Sequence, residues 1–232
     1  MTEIRWLGHG TVQVRLESGE VLSFDPWIEG NPRFPQEHQF DRVDGLLISH
    51  GHFDHIHDAV PVAKKFEPKV FSIFETSVWL ERKGVKNTSA MNKGGSQPGP
   101  GGITVTMTHA VHSCGILDGD QILYGGEASG YVITLPDSRA FYFAGDTNVF
   151  SDMALIRELY RPELAFLPIG DLYTMGPREA AKAVELLGVS QVIPMHFGTF
   201  PPLTGTPAEL SRLLGAGGAK VLELKPGAPH RW

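Results

Sequence analysis

Residues 49–58 read SHGHFDHIHD, a stretch that holds four histidines and two aspartates in ten positions. The apolar run 45–49 leads into this stretch, and its shortness and polar borders predict a buried strand. The histidine cluster is therefore expected at the carboxyl end of a strand, where α/β proteins commonly build their sites.

The spacing within the stretch indicates how its side chains point. In an extended segment, residues two apart point the same way, so His50 and His52 can reach one metal ion. A turn at residues 53–54 would aim Asp54 and His55 at a neighbouring point. Imidazole and carboxylate together suit Zn²⁺, Mn²⁺ or Fe²⁺. The alternative is a polar loop with solvent-facing histidines, but this density of ligand-type residues after a buried strand favours metal binding.

Three later segments also end a predicted strand with a ligand-type residue. His112 follows the run 103–110, Asp146 follows 140–144, and His196 follows 191–194. One loop cannot complete the coordination of two metal ions, so the missing ligands must come from elsewhere in the chain. These three positions are the candidates.

Composition limits the class of protein. The chain has 232 residues, of which 41% are apolar and 20% charged, as in an ordinary globular protein of one domain, residues 1–232. A net charge of −6 argues against general affinity for nucleic acid or anionic membrane. No apolar run reaches the ~18 residues of a membrane span. A single cysteine, Cys114, and an N-terminus without a signal peptide predict a cytoplasmic location.

Hydrophobic patterning predicts many short elements joined by loops rich in glycine and proline. The predicted strands span residues 4–7, 12–16, 21–24, 45–49, 69–74, 103–108, 131–135, 140–144, 164–168, 191–194 and 221–224, and the predicted helices 58–66, 75–83, 152–160, 177–187 and 207–214. Residues 92–102 are predicted as a loop. A strand-rich first part and an alternating second part indicate a layered α/β fold. Substrate choice is expected to depend on the loops 25–44, 92–102, 113–128 and 170–176.

The chain resembles the metallo-β-lactamase superfamily of metal-dependent hydrolases. SHGHFDH, the later His112, GDT at 145–147 and MHFG at 195–198 carry the resemblance, in the family's motif order. Within the superfamily, WLGHG, FDPW, FLPIGDLYTMGP and PMHFGTFP resemble the group that includes L-ascorbate-6-phosphate lactonase. The resemblance implies a four-layer αββα sandwich, with two mixed sheets and helices outside.

The resemblance also implies a ligand set for two divalent metal ions, Zn²⁺ first, with Mn²⁺ or Fe²⁺ as alternatives. His50, His52 and His112 would hold one ion, Asp54, His55 and His196 the other, with Asp146 bridging both. Asp25 matches a family aspartate that orients a ligand histidine, although an aspartate before Pro26 is also typical of a turn.

Two cations ~3.5–4 Å apart lower the pKa of a bridging water toward ~7, which supplies hydroxide for attack on an ester, lactone or other cyclic small molecule. A phosphodiesterase acting on a small phosphodiester or nucleic acid is the alternative, and a non-catalytic metal-binding protein is less favoured because all seven ligand positions are filled. The flavin-linked di-iron members carry an acidic residue at the position of His52 and need a flavin domain, which argues against redox chemistry. A true β-lactamase is disfavoured by the lack of an export signal.

Three residues are predicted to act in catalysis: Asp54 as a proton shuttle, Asp146 as the bridge, and His9 in substrate contact or proton delivery. A hydrogen-bonded structural role is the alternative for His9. His57 and His109 are expected outside the ligand set, His109 because it points away from His112 on a strand.

The remaining candidates each have a structural alternative. Cys114 lies near a ligand in sequence but is expected as a buried hydrophobe. Tyr173, Thr174 and Met175 are expected to line the pocket, or else to form a helix-entry loop. The aromatic side chains of the early loop are expected either as a lid over the substrate or as packing and dimer contacts; they are Trp27, Phe34 and Phe40. Homo-oligomerisation stays open.

Overall fold

The computed structural model describes residues 1–232 and contains sixteen strands and six α-helices. The strands are β1 (Glu3–Trp6), β2 (Val12–Arg15), β3 (Val21–Phe24), β4 (Gly45–Leu47), β5 (Lys69–Ile73), β6 (Thr88–Met91), β7 (Ser96–Pro98), β8 (Thr104–His109), β9 (Gly115–Asp118), β10 (Gln121–Tyr124), β11 (Ser129–Thr134), β12 (Ala140–Phe143), β13 (Leu164–Pro168), β14 (Gln191–Met195), β15 (Lys220–Val221) and β16 (His230–Arg231). The helices are α1 (Phe53–Ile56), α2 (Ala59–Phe66), α3 (Phe74–Arg82), α4 (Met153–Tyr160), α5 (Pro177–Leu187) and α6 (Pro207–Leu214).

Fourteen strands form two seven-stranded sheets of the same design. The first sheet has the order β16-β1-β2-β3-β4-β5-β6, and the second has the order β15-β14-β13-β12-β11-β8-β7. In each sheet one half is antiparallel, and the other half, β3 to β6 or β12 to β15, is parallel. Both sheets are therefore mixed, as predicted.

The two sheets pack face to face through large apolar side chains. The ring of Phe24 on β3 lies 4.7 Å from the ring of Phe143 on β12. Tyr131 on β11 crosses between the sheets and donates its hydroxyl hydrogen bond to the carbonyl of Ile48, at 2.7 Å. These contacts belong to a cluster of 42 buried apolar residues that also extends under α4 and α5. Burying this face of each sheet is the main stabilising term of such a fold.

Helices cover the outer faces of both sheets. Ala59 and Val62 of α2 and Leu80 of α3 pack with strand residues in a second apolar cluster on the outside of the first sheet. Helices α4, α5 and α6 lie side by side against the second sheet. The layers are thus helix, sheet, sheet, helix, which confirms the predicted αββα architecture. No helix combines the length and the apolar character needed to span a membrane.

The helix boundaries follow local sequence signals. Pro177 and Pro207 occupy the first turn of α5 and α6, where the missing N–H costs nothing. Thr206 caps α6 by accepting a hydrogen bond from the backbone N–H of Glu209, at 3.2 Å. Gly188 ends α5 with a φ of 63°, which a residue without a Cβ adopts most readily.

Two sequence predictions about elements are wrong. The segment 113–128, treated as a loop, contains the hairpin β9–β10, closed by a two-residue turn with Gly119 at a φ of 66°. The segment 92–102 contains β7, an edge strand that pairs with β8 and tolerates Pro98 because an edge needs fewer N–H donors. The helix predicted over 58–66 is present as α2, for which Asp58 is the N-cap residue, and a separate short helix that was not predicted, α1, precedes it.

Candidate metal centre

The predicted ligands lie together at the ends of strands from both sheets. Asp25 follows β3, the segment 48–52 follows β4, and α1 carries Asp54 and His55. From the second sheet, His112 follows β8, Asp146 follows β12 and His196 follows β14. The structure therefore brings together all seven predicted ligands, from His50 to His196.

Three histidine nitrogens converge at one point. His52 Nδ1 lies 3.1 Å from His50 Nε2 and 3.2 Å from His112 Nε2. Two nitrogens bound to one tetrahedral Zn²⁺ would be about 3.3 Å apart, given Zn–N bonds of ~2.0–2.1 Å. The three atoms therefore have the mutual spacing of ligands around a single cation.

A second group forms beside the first, with Asp146 between them. Its members Asp54, His55 and His196, together with His9, place one ligand atom each within 4.8 Å of one another. Asp146 Oδ2 lies 3.1 Å from His196 Nε2 and 3.3 Å from His55 Nε2. The same oxygen lies 3.8 Å from His50 Nε2 and 3.7 Å from His112 Nε2. One carboxylate oxygen thus faces both groups.

Unsatisfied polar atoms test whether the centre suits cations. His55 Nε2 and Asp146 Oδ1 are buried and have no hydrogen-bond partner. Each buried polar atom without a hydrogen-bond partner lowers the stability of the fold by about 1–3 kcal/mol. Two such atoms at one place therefore indicate that a ligand binds there. Imidazole nitrogen and carboxylate oxygen are donors that Zn²⁺, Mn²⁺ and Fe²⁺ accept. The residues present fit divalent cations.

The hydrogen bonds of Asp25 determine which ring nitrogen of His50 and His55 carries the proton. Its carboxylate accepts hydrogen bonds from His55 Nδ1 at 2.8 Å, from the Ser49 hydroxyl at 2.5 Å and from the Ser49 backbone N–H at 2.7 Å. Because the Ser49 hydroxyl gives its only proton to Asp25, its oxygen accepts from His50 Nδ1 at 2.9 Å. In its neutral form each histidine carries its proton on Nδ1, so Nε2, which faces Asp146, is the nitrogen left to bind a cation.

Charge coupling in the centre is strong. Burial alone would lower the pKa of His196, but the Asp146 carboxylate outweighs burial and raises it to about 9. His55 behaves likewise, with a pKa well above its usual value. Burial alone would raise the pKa of Asp146, yet His196 and His55 hold it well below its ordinary range. Metal ligation needs neutral imidazole, so cation binding must displace protons from this group.

His9 lies behind Asp54 and away from the cleft. Its side chain is fully buried, and its Nε2 lies 2.8 Å from Asp54 Oδ2 while its Nδ1 lies 2.9 Å from the Thr199 hydroxyl. Burial is the main cause that lowers the pKa of His9 to about 4, so the ring is neutral at neutral pH. A neutral His9 donates from Nε2 to Asp54 and accepts from Thr199. This geometry favours the structural alternative for His9, which orients Asp54.

The two histidines expected outside the centre do lie outside it. His57 is exposed and pairs with Asp58, at 3.0 Å from Nδ1 to Oδ2. His109, at the exposed end of β8, lies 3.0 Å from Lys93 Nζ through its Nδ1 and contacts neither group. Cys114 is buried, as expected of a small hydrophobe, and its thiol faces the carbonyl of Gly125.

The predicted pocket-lining residues divide between cleft and core. Tyr173 lines the cleft, whereas Thr174 and Met175 do not, and Met175 is fully buried in the apolar core, so for these two residues the helix-entry alternative holds. The backbone N–H of Met175 donates a hydrogen bond to the carbonyl of Thr147 at 3.1 Å, which ties this loop to the segment that follows Asp146. Phe34 and Phe40 stack on each other at 6.3 Å and hold the early loop down, so they form no lid.

Several supporting residues of the centre were not predicted from the sequence. Ser49 and Thr199 hold the rings of His50 and His9, and the hydroxyl of Ser113 lies 3.2 Å from His52 Nε2. Ser49 directly precedes the first histidine, so its position was a usable signal, whereas Thr199 had none. His9, Asp25 and His196 have left-handed backbone, with φ of 52°, 42° and 55°. Such strain is concentrated at functional sites.

A cleft of about 850 Å³ opens onto the two groups. Its floor is formed by the five predicted ligands His52, Asp54, His112, Asp146 and His196. Its walls carry Phe53, Ser113, Gly115, Leu117, Ile122, Tyr173, Phe200, Pro201 and Pro202. A concave, largely apolar cleft over convergent polar groups is the usual form of a small-molecule site.

Comparison with known proteins identifies similar chains. A family model described as a beta-lactamase superfamily domain matches residues 21–197. A "UPF0173 metal-dependent hydrolase" of Solibacter usitatus is 65% identical over 230 residues, which are 99% of this chain and 100% of that protein. A protein of the same description from Koribacter versatilis is 57% identical over 226 residues, with 97% and 96% of the two chains covered.

A solved structure shares both fold and sequence. A metallo hydrolase of the hyperthermophilic archaeon Ignicoccus hospitalis superposes with a TM-score of 0.86 at 34% identity, over 100% of both chains. The likeness extends over the entire length, so it includes every strand end that carries a predicted ligand.

Proposed function

The chain belongs to the UPF0173 metal-dependent hydrolases of the beta-lactamase superfamily, and on that premise we propose that it is a dinuclear hydrolase of small-molecule esters or lactones. One observation carries the proposal: two groups of three ligand side chains meet at a single buried oxygen of Asp146.

In this proposal each group holds one cation. His50 Nε2, His52 Nδ1 and His112 Nε2 would hold the first, and Asp54, His55 and His196 the second, with Asp146 shared. Zn²⁺ is the first choice, since imidazole-rich sites suit it, and Mn²⁺ or Fe²⁺ are the alternatives. When bound, such a pair supplies Lewis acidity and a water whose pKa is lowered toward ~7.

The protein's own residues then position and protect the reaction. The hydrogen bonds of Asp25 and Ser49 hold the proton of neutral His55 and His50 on Nδ1, so that Nε2 would be free to bind a cation. His9 holds Asp54 by its 2.8 Å hydrogen bond, so that the carboxylate keeps one orientation while it accepts a proton and passes it on. We retain Asp54 as the proton shuttle, acting from its position on the cleft floor.

An ester or lactone suits the cleft better than a phosphodiester. No Lys or Arg lines the cleft, so a phosphate would meet no side-chain cation beyond the metal pair. The net charge of −6 also disfavours a nucleic-acid substrate. The narrower likeness to L-ascorbate-6-phosphate lactonase contributes the lactone as a candidate substrate; the phosphate of that compound has no charged partner here. A cytoplasmic location and a homo-oligomer both stay predictions.

The test uses protein reconstituted separately with Zn²⁺ and with Mn²⁺. Para-nitrophenyl acetate, a simple lactone and bis(para-nitrophenyl) phosphate are supplied as substrates. We expect hydrolysis of the ester and the lactone, and a loss of about a hundredfold or more in Asp146→Ala. His57→Ala, which alters the exposed histidine of the same stretch, is the control and should keep its activity.

Two results would count against the proposal. Full activity in Asp146→Ala would exclude the bridging role. Faster turnover of the phosphodiester than of both carbonyl substrates would favour the phosphodiesterase alternative.

A further inference from the structure

The charged groups of the cleft are confined to its floor. The ionisable lining residues other than Tyr173 are His52, Asp54, His112, Asp146 and His196, all of which belong to the proposed ligand set. Above the floor the lining offers neither a Lys or Arg nor a further carboxylate. A charged group on the distant part of a substrate would therefore lose its hydration without gaining a partner.

One wall of the cleft is aromatic. Phe53 and Phe200 line the cleft, and their rings lie 6.4 Å apart. Trp27 packs behind both, at 5.7 Å from each ring, and is itself buried. Phe53 is half exposed although it begins helix α1 in the middle of residues 49–58, which carry four of the proposed ligands. An aromatic side chain exposed at that place is available to a ligand.

A second wall is aliphatic and comes from the hairpin β9–β10. Leu117 and Ile122 line the cleft and are 59% and 78% exposed, which is high for large apolar side chains. They pair across the two strands, Ile122 directly opposite Leu117. Exposed apolar side chains gathered around a concave site mark a binding surface.

The hairpin is held in place at both of its ends. At its base, Gly51 has no side chain, and a Cβ there would lie within 2.4 Å of Ile116 Cγ1, so the hairpin rests directly on the metal-binding stretch. At its tip, Asp118 accepts hydrogen bonds from Trp79 Nε1 at 2.9 Å and from Lys83 Nζ at 2.7 Å. The aliphatic wall is thus fixed before any ligand arrives, which reduces the entropy lost on binding.

We infer that this cleft selects an uncharged ester or lactone with an alkyl or aryl chain, seated between the aromatic wall and the hairpin wall. The inference rests on the proposed function. In the reaction, water adds its oxygen to the acyl carbon and the acyl C–O bond breaks. One water proton goes to the departing alcohol oxygen and the other to solvent, which leaves a carboxylate.

The kinetic test compares para-nitrophenyl esters with the metal-loaded protein. From acetate to hexanoate, kcat/KM is expected to rise about tenfold or more, since each methylene that enters an apolar site gains up to about fourfold. The mono-para-nitrophenyl ester of glutaric acid, of similar length but with a free carboxylate, is expected to react at least about tenfold more slowly than the hexanoate.

A matched pair of variants locates the effect. Ile122→Lys places a cation on the hairpin wall and should lower kcat/KM for the hexanoate while raising it for the glutarate monoester. Leu159→Lys makes the same change on α4, where Leu159 is 67% exposed and lies outside the cleft, and should change neither. The neutral dye Nile red gives a readout without catalysis: metal-free protein should bind it, and Ile122→Lys but not Leu159→Lys should bind it more weakly.

The outcomes separate the inference from the proposed function. Hydrolysis of the acetate with no gain toward hexanoate, or with equal rates for the charged ester, would overturn the inference and leave the hydrolase intact. No hydrolysis of any ester or of the simple lactone would overturn the proposed function. In that case, Nile red binding that is lost only in Ile122→Lys would still support an apolar ligand, and equal binding by both variants would refute it.

Discussion

Replacing Asp25 with asparagine should weaken metal binding at both positions, although Asp25 is not itself among the predicted ligands. The side chain is fully buried and accepts three hydrogen bonds, and the substitution keeps its size and its left-handed backbone, which asparagine tolerates. Only one acceptor oxygen becomes an NH₂ donor. The variant therefore changes hydrogen-bond polarity with little change in packing.

The effect of Asp25→Asn follows from where the protons of His50, His55 and Ser49 must then lie. If the oxygen of the new side-chain amide keeps the bond from the Ser49 backbone N–H, the NH₂ faces His55 Nδ1 and the Ser49 hydroxyl. His55 must then accept at Nδ1, and Ser49 turns its proton toward His50. Both rings move their proton to Nε2, the nitrogen that faces Asp146. The opposite orientation of the amide sets its NH₂ against the Ser49 N–H, at a cost of about 1–3 kcal/mol.

The expected magnitude is a loss of about 10- to 100-fold in affinity for each cation, or ~1.4–2.7 kcal/mol, because binding requires a ligand histidine in its unfavourable tautomer. Zn²⁺ affinity of the metal-free protein is measured by competition with a chromophoric chelator. Asp58→Asn is the control: Asp58 is also buried, but it accepts from the backbone of Ile28 and Glu29 and faces away from the metal groups. Unchanged affinity in Asp25→Asn, with thermal unfolding also unchanged, would refute the tautomer argument.

Three further predictions concern other parts of the molecule. His109→Ala should leave metal content unchanged while His112→Ala lowers it, as elemental analysis can show; the reverse result would mean that the wrong histidine was chosen. Zn²⁺ affinity should rise with pH by about tenfold per unit for each proton displaced, since His196 has a pKa of about 9 without metal and must be neutral to bind; pH-independent affinity in chelator competition would contradict this. Gly51→Ala should lower the free energy of unfolding in urea by about 1–3 kcal/mol, whereas Gly217→Ala, whose Cβ meets no atom within 4 Å, should leave it nearly unchanged; equal stabilities would contradict the close contact at Gly51.

Much of the fold could be predicted because its signals are local. Helices α5 and α6 begin at prolines that suit a first turn and end at glycines, and both were predicted with their observed bounds. The strand 164–168 was also predicted correctly, since a buried parallel strand is a continuous apolar run. The hairpin β9–β10 was missed because its outward side chains do not alternate clearly, although its Gly119-Asp120 turn was a readable signal.

The meeting of the seven candidate ligands could be predicted because residues of the right chemistry follow four of the predicted strands. What the sequence could not supply is the arrangement of supporting groups. Thr199 meets His9 only because the chain folds back over 190 positions, and no periodicity encodes that contact. The same limit applies to Met175. It lies two residues after Tyr173, which lines the cleft, but its own side chain is buried in the core.

The metal content per chain decides whether the seven candidate ligands hold two cations. Elemental analysis on untagged protein purified without chelator is expected to give about two equivalents of Zn, Mn or Fe, and the chelator-treated protein is expected to take up about two equivalents of Zn²⁺ again. A folded protein that holds no metal and does not take up added metal would contradict the dinuclear centre.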